Sequence, residues 1–272
     1  MKILANDGIS DSGVEELKKS GFEIITTNVA QEQLEDYINT NNVVGLLVRS
    51  ATTVRKDLID KCPSLRLIGR GGVGMDNIDV DYAKSKGLAV INTPAASSHS
   101  VAELVFSHLF SCVRFLHDSN RNMPLEGDSN FKKLKKNYSK GTELKGKTLG
   151  IIGFGRIGQE TAKIALGIGM NVIYYDKFIE SVKIELDFIM DKKISFELKT
   201  SKLDNLLTDS DFITLHVPAQ NNYVIGKSEF EKMRNGVGII NAARGGVIDE
   251  SELLKYLDLS LIHISEPTRQ KP

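Results

Sequence analysis

Only two cysteines, Cys62 and Cys112, occur in the 272 residues. They are too few and too unpatterned for a disulfide framework or a zinc site, so both are expected reduced and no metal is expected. Net charge is missing as well, because 35 Lys and Arg balance 35 Asp and Glu. That removes the bulk attraction that draws basic chains to nucleic acid or anionic lipid. An anionic ligand must then be held by local groups. No apolar run is long enough to span a bilayer, and the run in the opening MKILANDGIS is too short for a signal-peptide core. Neither nucleic acid nor membrane is an expected partner, and a cytoplasmic setting is expected.

What is present is an ordinary globular composition, 41% hydrophobic and 26% charged, in a chain longer than one typical domain core. KILA, FEIIT, VVGLLV, LRLIG and LAVIN read as short buried strands. Between them SDSGVEELKKS, QEQLEDYINT, TVRKDLIDK and VDYAKSK have helical spacing and polar faces. This alternation predicts an α/β class with a parallel sheet. A Ser- and Pro-containing stretch then leads into a long apolar helix beginning near Ser98 or Ser100, where Ser100 and Glu103 fit a capping box. The expected domains are therefore 1–95 and 96–258. The lysine-rich stretch GDSNFKKLKKNYSKGTELKGK reads as a solvated loop. A second series follows, with TLGIIG, NVIYYD, KISFE, DFITLHVP and GVGIINAAR as strands and helices in most of the gaps.

The strongest motif is LGIIGFGRIGQETAKIALGIGMNVIYYD. Gly153, Gly155 and Gly158 follow an apolar strand and open a helix, and a second strand ends at Asp176, roughly 20 residues on. In this context Gly153 makes the turn, Gly155 admits a pyrophosphate and Gly158 lets helix and strand pack closely. Arg156 adds a cation beside the phosphates. Asp176 suits ribose hydroxyls and repels a ribose phosphate, which favours NAD over NADP. LHVP and INAARGGVIDE end two further strands, where open α/β sheets bind ligands. Arg244 therefore projects from a strand end beside the cofactor, and His216 is expected on the nicotinamide side.

These segments, with LLVRSATTV, IGRGGVGMDNID and INTPAASSHSVAELVF, resemble the D-isomer-specific 2-hydroxyacid dehydrogenases, most closely the 3-phosphoglycerate dehydrogenase branch. The resemblance implies two Rossmann/flavodoxin-like parallel-sheet domains with the active site in the cleft between them. It implies a small anionic 2-hydroxy or 2-keto acid substrate and a homodimer formed through the NAD domain. Cofactor contacts carry over onto Arg156, Ile157, Asp176, Val217, Pro218, Ala242 and Ala243. Arg244 becomes the catalytic arginine that orients the substrate carboxylate. Val73 and Gly74 would grip the same carboxylate through backbone N–H groups, Arg49 would meet a substrate phosphate, and Ser97 stands where many relatives have Asn. The implied reaction is NAD-dependent oxidation of 3-phospho-D-glycerate to 3-phosphohydroxypyruvate, the entry to serine synthesis. Glyoxylate, hydroxypyruvate or D-lactate chemistry, or a non-enzymatic NAD-sensing corepressor, remain alternatives.

Such oxidation needs a base, usually a His oriented by a carboxylate. The family's Glu and His are expected farther along than Pro272. In the tail, His263 and Glu266 stand in reversed order and too close to Arg244. His99, His108, His117 and His216 are poor replacements. The resemblance stops after Asp258, so residues 259–272 are expected to be non-native, leaving an apolar edge on the second sheet.

Overall fold

The apolar runs become parallel strands joined by helices, and most of them are buried in the two sheets. The computed structural model describes residues 1–189 and 191–259 and, as backbone, the strand Ile262–Pro267. Two units are formed, Met1–Ser97 and Ser98–Pro272. Among the described residues no helix is long and apolar enough to cross a membrane.

The first unit runs β1 (Lys2–Ala5), α1 (Asp11–Lys19), β2 (Glu23–Ile25), α2 (Leu34–Asn41), β3 (Val43–Val48), α3 (Lys56–Lys61), β4 (Leu67–Arg70), α4 (Val80–Ser85) and β5 (Ala89–Asn92). Its sheet is wholly parallel, in the order β2-β1-β3-β4-β5. Leu4, Leu34, Ile38, Leu46 and Ile68 are fully buried in its core. Each such side chain contributes about 1.5–3 kcal/mol relative to exposure. Ser10 starts α1 by accepting the Gly13 N–H at 3.2 Å.

The second unit runs α5 (Ser98–Val113), α6 (Leu116–Tyr138), β6 (Thr148–Ile152), α7 (Arg156–Gly167), β7 (Asn171–Tyr175), β8 (Ser181–Phe188), β9 (Lys192–Lys199), α8 (Leu203–Asp209), β10 (Phe212–Leu215), α9 (Lys227–Phe230), β11 (Val237–Asn241), α10 (Glu250–Asp258) and β12 (Ile262–Pro267). Its main sheet is also parallel, in the order β12-β11-β10-β6-β7. Taken from β7, this is the order of the first unit, with β6 in the place of β1. In both units the strand order reverses beside the first strand, at β1/β3 and at β6/β10. Open α/β sheets bind ligands at the carboxyl ends of strands at such a switch point.

Four expectations are corrected. Residues 127–138 of the lysine-rich stretch form the end of helix α6, and only 139–147 follow as turn and loop. Lys is a good helix former, and Leu134 is buried while Tyr138 Oη donates to Asp118 Oδ2 at 2.8 Å. The gap between β7 and β9, for which no strand was expected, holds no helix among the described residues. Instead β8 pairs antiparallel with β9, and Val182, Ile184, Leu186 and Leu198 pack on the core. Helix α5 begins at Ser98, the first of the two expected starts, so Ser100 lies inside it and the Ser100–Glu103 capping box is not its start. Finally, β12 pairs in parallel with β11, so the apolar edge expected there is covered. Ile262 and Ile264 are β-branched and suit a strand. The side chains of His263 and Glu266, and residues 268–272, lie outside what is described.

Candidate active site

In the second unit, β6 runs directly into the glycine-rich turn. Gly153 has φ +90°, and a Cβ there would stand 2.9 Å from the His216 carbonyl group. A Cβ at Gly158 would collide with the Gly153 carbonyl oxygen. These two glycines thus close the turn against the neighbouring strand end and against α7. A Cβ at Gly155 would meet nothing within 4 Å. Among the described residues nothing fills that space, which fits the approach of a pyrophosphate. Gly155 is also the N-cap of α7, and no side chain caps that end. Its first N–H groups and the positive end of the helix dipole are left for an anion. Arg156, the first helical residue, is exposed beside it. Ile157 follows on the same turn.

Asp176 lies just beyond β7 and is tied to this turn. Its Oδ2 accepts the Phe154 N–H at 2.7 Å, and its Oδ1 accepts Phe178 N–H at 2.8 Å and Ile179 N–H at 3.0 Å. A carboxylate has about four lone-pair sites. Acceptor capacity for a ribose hydroxyl therefore remains, on a carboxylate held in place by backbone. Phe154 and Tyr174 stack beneath, with centroids 3.8 Å apart. Taken together these residues fit NAD. When bound, the nicotinamide would supply the hydride acceptor.

His216 departs from expectation. Its Nε2 lies 3.3 Å from Thr161 Oγ1 on α7 and 3.2 Å from Thr214 Oγ1 on β10, so the ring points down between helix and sheet. Its Nδ1 is buried without a hydrogen-bond partner among the described residues. Burial pushes the imidazole pKa down to about 3. The residue meets the turn through its backbone, not through its ring, and it is neutral at ordinary pH. Val217 and Pro218 complete that strand end, with Val217 Cγ1 3.0 Å from a Cβ at Gly153.

Ala242 and Ala243 are buried at the end of β11, and Arg244 follows, half-buried. Asn241 fixes this end by donating from Nδ2 to the Arg244 carbonyl at 2.9 Å, while Arg244 Nη1 donates to the Ala243 carbonyl at 2.9 Å. His99, in the same unit, is engaged by two carboxylates: Glu160 lies 3.3 Å from its Nδ1 and Glu103 3.3 Å from its Nε2. No group of side chains suited to a metal occurs among the described residues.

In the first unit a cavity of about 730 Å³ opens at the carboxyl ends of β1, β3, β4 and β5. Arg49, Arg70, Asp7, Asn92 and Thr93 line it. The Arg49 turn is clamped from below. Asp7 Oδ2 accepts the Arg49 N–H at 2.6 Å and the Thr52 N–H at 3.1 Å, and Oδ1 accepts Thr52 Oγ1–H at 2.5 Å. Burial of Asp7 works against its charged form, but these bonds outweigh it and hold its pKa below the usual carboxylate value. The Arg49 guanidinium itself is exposed, and no bond engages it among the described residues. Neither Val73 nor Gly74 donates its backbone N–H among the described residues, while the Val73 carbonyl accepts Asn92 Nδ2–H at 2.7 Å. Ser97 closes this unit as a half-buried turn residue.

Arg70 escaped the sequence reading, although a signal was present. GRGGV at 69–73 and ARGGV at 243–247 place Arg70 and Arg244 at the ends of equivalent strands, β4 and β11. Each turn returns through an isolated parallel bridge, Val54 with Ile78 and Ile225 with Ile248.

The family model described as the D-isomer specific 2-hydroxyacid dehydrogenase catalytic domain matches residues 3–178, and that of the NAD binding domain matches residues 106–264. The second match continues past Asp258, where the motif resemblance stops. A hydroxypyruvate reductase from Thermotoga maritima is 39% identical over 255 residues, covering 93% of this chain and 77% of the relative. A D-3-phosphoglycerate dehydrogenase from Methanocaldococcus jannaschii is 38% identical over 264 residues, covering 94% of this chain but only 46% of the relative. A D-lactate dehydrogenase from Aquifex aeolicus, solved with NAD and lactic acid, superposes with a TM-score of 0.69 at 28% identity, over 97% of this chain and 75% of that one. With its glycine-rich turn, strand-end arginine and these matches across both units, the chain belongs to the D-isomer-specific 2-hydroxyacid dehydrogenases, the NAD-dependent oxidoreductases of D-2-hydroxy acids.

Proposed function

We propose that the protein oxidises 3-phospho-D-glycerate to 3-phosphohydroxypyruvate with NAD, at the entry to serine synthesis. The observation that carries this reading is the first-unit cavity lined by both Arg49 and Arg70. A 2-hydroxy acid without a phosphoryl group presents one carboxylate. A phosphorylated one presents a second, dianionic group, and guanidinium suits it. The phosphoglycerate dehydrogenase relatives support the same substrate.

In this reading Arg244 binds the substrate carboxylate and polarises the oxygen at C2, with Val73 and Gly74 N–H groups and the Ser97 hydroxyl as further donors. Arg49 holds the phosphoryl group. Bound NAD would supply the acceptor for the C2 hydride, and a base would take the hydroxyl proton. Neither His216, neutral and tied to two threonines, nor His99, held by Glu103 and Glu160, is assigned that role. A second copy of the chain is the proposed partner, through the second unit, where Phe110, Phe115, Leu116 and Phe131 are exposed. Equilibrium sedimentation of a chain with Leu116→Glu tests this, and an unchanged mass would remove that face.

Hydroxypyruvate reduction is a second reading, favoured by the Thermotoga relative. The deciding experiment compares kcat/KM of the full-length protein for 3-phosphoglycerate oxidation and for hydroxypyruvate and glyoxylate reduction. Preference for the phosphorylated acid is expected. A preference for hydroxypyruvate over its 3-phospho form would replace the first reading with the second.

A further inference from the structure

We infer that Asn77 is a positioning residue that couples Arg49 and Arg70 into one binding element for a phosphorylated acid. This rests on the phosphate reading above. The Asn77 side chain spends every hydrogen-bonding group of its amide on the two arginine segments. Its Oδ1 accepts Arg70 Nε–H at 2.9 Å. Its Nδ2 donates to the Arg49 carbonyl at 2.9 Å and to the Thr52 carbonyl at 2.6 Å. The same turn is gripped from the opposite side by Asp7 through the Arg49 N–H. Arg49 is therefore fixed at both its backbone N–H and its carbonyl, and the guanidinium of Arg70 is oriented by the residue that holds that carbonyl.

The chemistry of the amide explains the residue type. The site needs one acceptor for a guanidinium and two donors for carbonyls on a short stem, and Asn supplies all three. Asp would keep the acceptor and lose the donors. The surrounding backbone agrees. A Cβ at Gly72 would collide with Arg70 Nη1, and a Cβ at Gly71 would come into ordinary contact with Arg49 Cγ at 3.4 Å. The Arg70 guanidinium and the Arg49 stem thus lie over glycine backbone in the segment that Asn77 closes.

The second unit provides an internal contrast. Arg244 occupies the equivalent strand end, but its turn returns to Ile248 after residues 245–247 only, whereas Arg70 reaches Ile78 after residues 71–77. The longer turn is what brings Asn77 back onto Arg70. Arg244 is held instead from its own strand, by Asn241.

The test is calorimetric titration of the NAD-loaded whole protein with two probes, 3-phosphoglycerate and D-glycerate, which differ by the phosphoryl group. Asn77→Ala is expected to weaken 3-phosphoglycerate roughly tenfold, as loss of a bond to a charged group would. D-Glycerate and NAD affinities are expected to hold. Asn77→Asp, which keeps the acceptor for Arg70, is expected to fall between, and it serves if the alanine variant does not fold. In an Arg70→Ala background the Asn77→Ala effect should shrink, because one of the three Asn77 bonds is then already lost. Unchanged affinity for 3-phosphoglycerate, an equal loss for both probes, or full additivity with Arg70→Ala would overturn the inference. Arg49→Ala serves as the control for the underlying reading: if it leaves 3-phosphoglycerate binding intact, the phosphate role itself is lost, whatever Asn77 does.

Discussion

The two units have the same strand order, yet the turns at the carboxyl ends of their strands are built in opposite ways. In the second unit the turn after β6 offers backbone: glycines, an uncapped helix start and a single fixed carboxylate. In the first unit the turn after β1 carries Asp7, and the arginines at the ends of β3 and β4 line a cavity, where the proposed reading gives anion contact to their side chains. The difference follows from what each ligand varies. A pyrophosphate linker is the same in every dinucleotide, so backbone at close range suffices. An acid substrate is recognised by a group that related substrates lack, and side chains can be changed without rebuilding the turn. RGGV at both strand ends shows how little separates the two solutions: one turn carries the residues that return Asn77 to Arg70, the other does not.

The contrast can be broken most severely at Gly158. An alanine there drives its Cβ into the Gly153 carbonyl, so helix and turn must part. Overpacking of this kind costs about 1–3 kcal/mol. A lower melting temperature and loss of measurable NAD binding by calorimetry are expected, with the first-unit cavity unaffected. Unaltered NAD affinity would show that the turn does not need that close approach.

A smaller effect is expected at Asp176. Asp176→Asn keeps an acceptor for ribose but removes the charge that repels a ribose phosphate. The ratio of NADP to NAD dissociation constants should fall roughly tenfold, within the range of one exposed charge interaction at close range. A constant ratio would assign Asp176 to holding the Phe154 and Phe178 N–H groups alone.

His216 gives the smallest expected change. Its folded pKa, about 3, lies below its ordinary 6.5, because burial disfavours the charged ring. The unfolded chain therefore binds the proton first. Stability is untouched above about pH 6.5 and falls as the pH drops from there towards 3. Melting curves of His216→Gln across that window should decline less steeply than those of the unaltered protein. Parallel declines would place the acid sensitivity elsewhere.

Much of this was legible in the sequence. The first-unit strands, the glycine-rich turn and Arg244 announce themselves through local patterns: short apolar runs, a turn that only glycine permits, and strand ends marked by Pro218 or by paired glycines. The hairpin β8–β9 was half legible, because KISFE alternates clearly while SVKIELDF becomes a strand only once its partner is beside it. Helix α6 was hidden by its charge, since a lysine run fits a solvated loop and a solvated helix face equally well until Leu134 is seen buried. The ring of His216 was misplaced because a strand-end position does not say which way a side chain turns. Asp7 and Asn77 act through backbone groups distant in sequence, and such pairings exist only after the sheet has formed.

The most direct test of the division between the units is the binding of 3-phosphoglycerate and of NAD, each measured on the unaltered protein and on Arg49→Ala. The expected result is a loss of at least roughly tenfold for 3-phosphoglycerate with NAD affinity unchanged, as removal of a charge-assisted contact requires. Equal 3-phosphoglycerate affinity in the two proteins would contradict it.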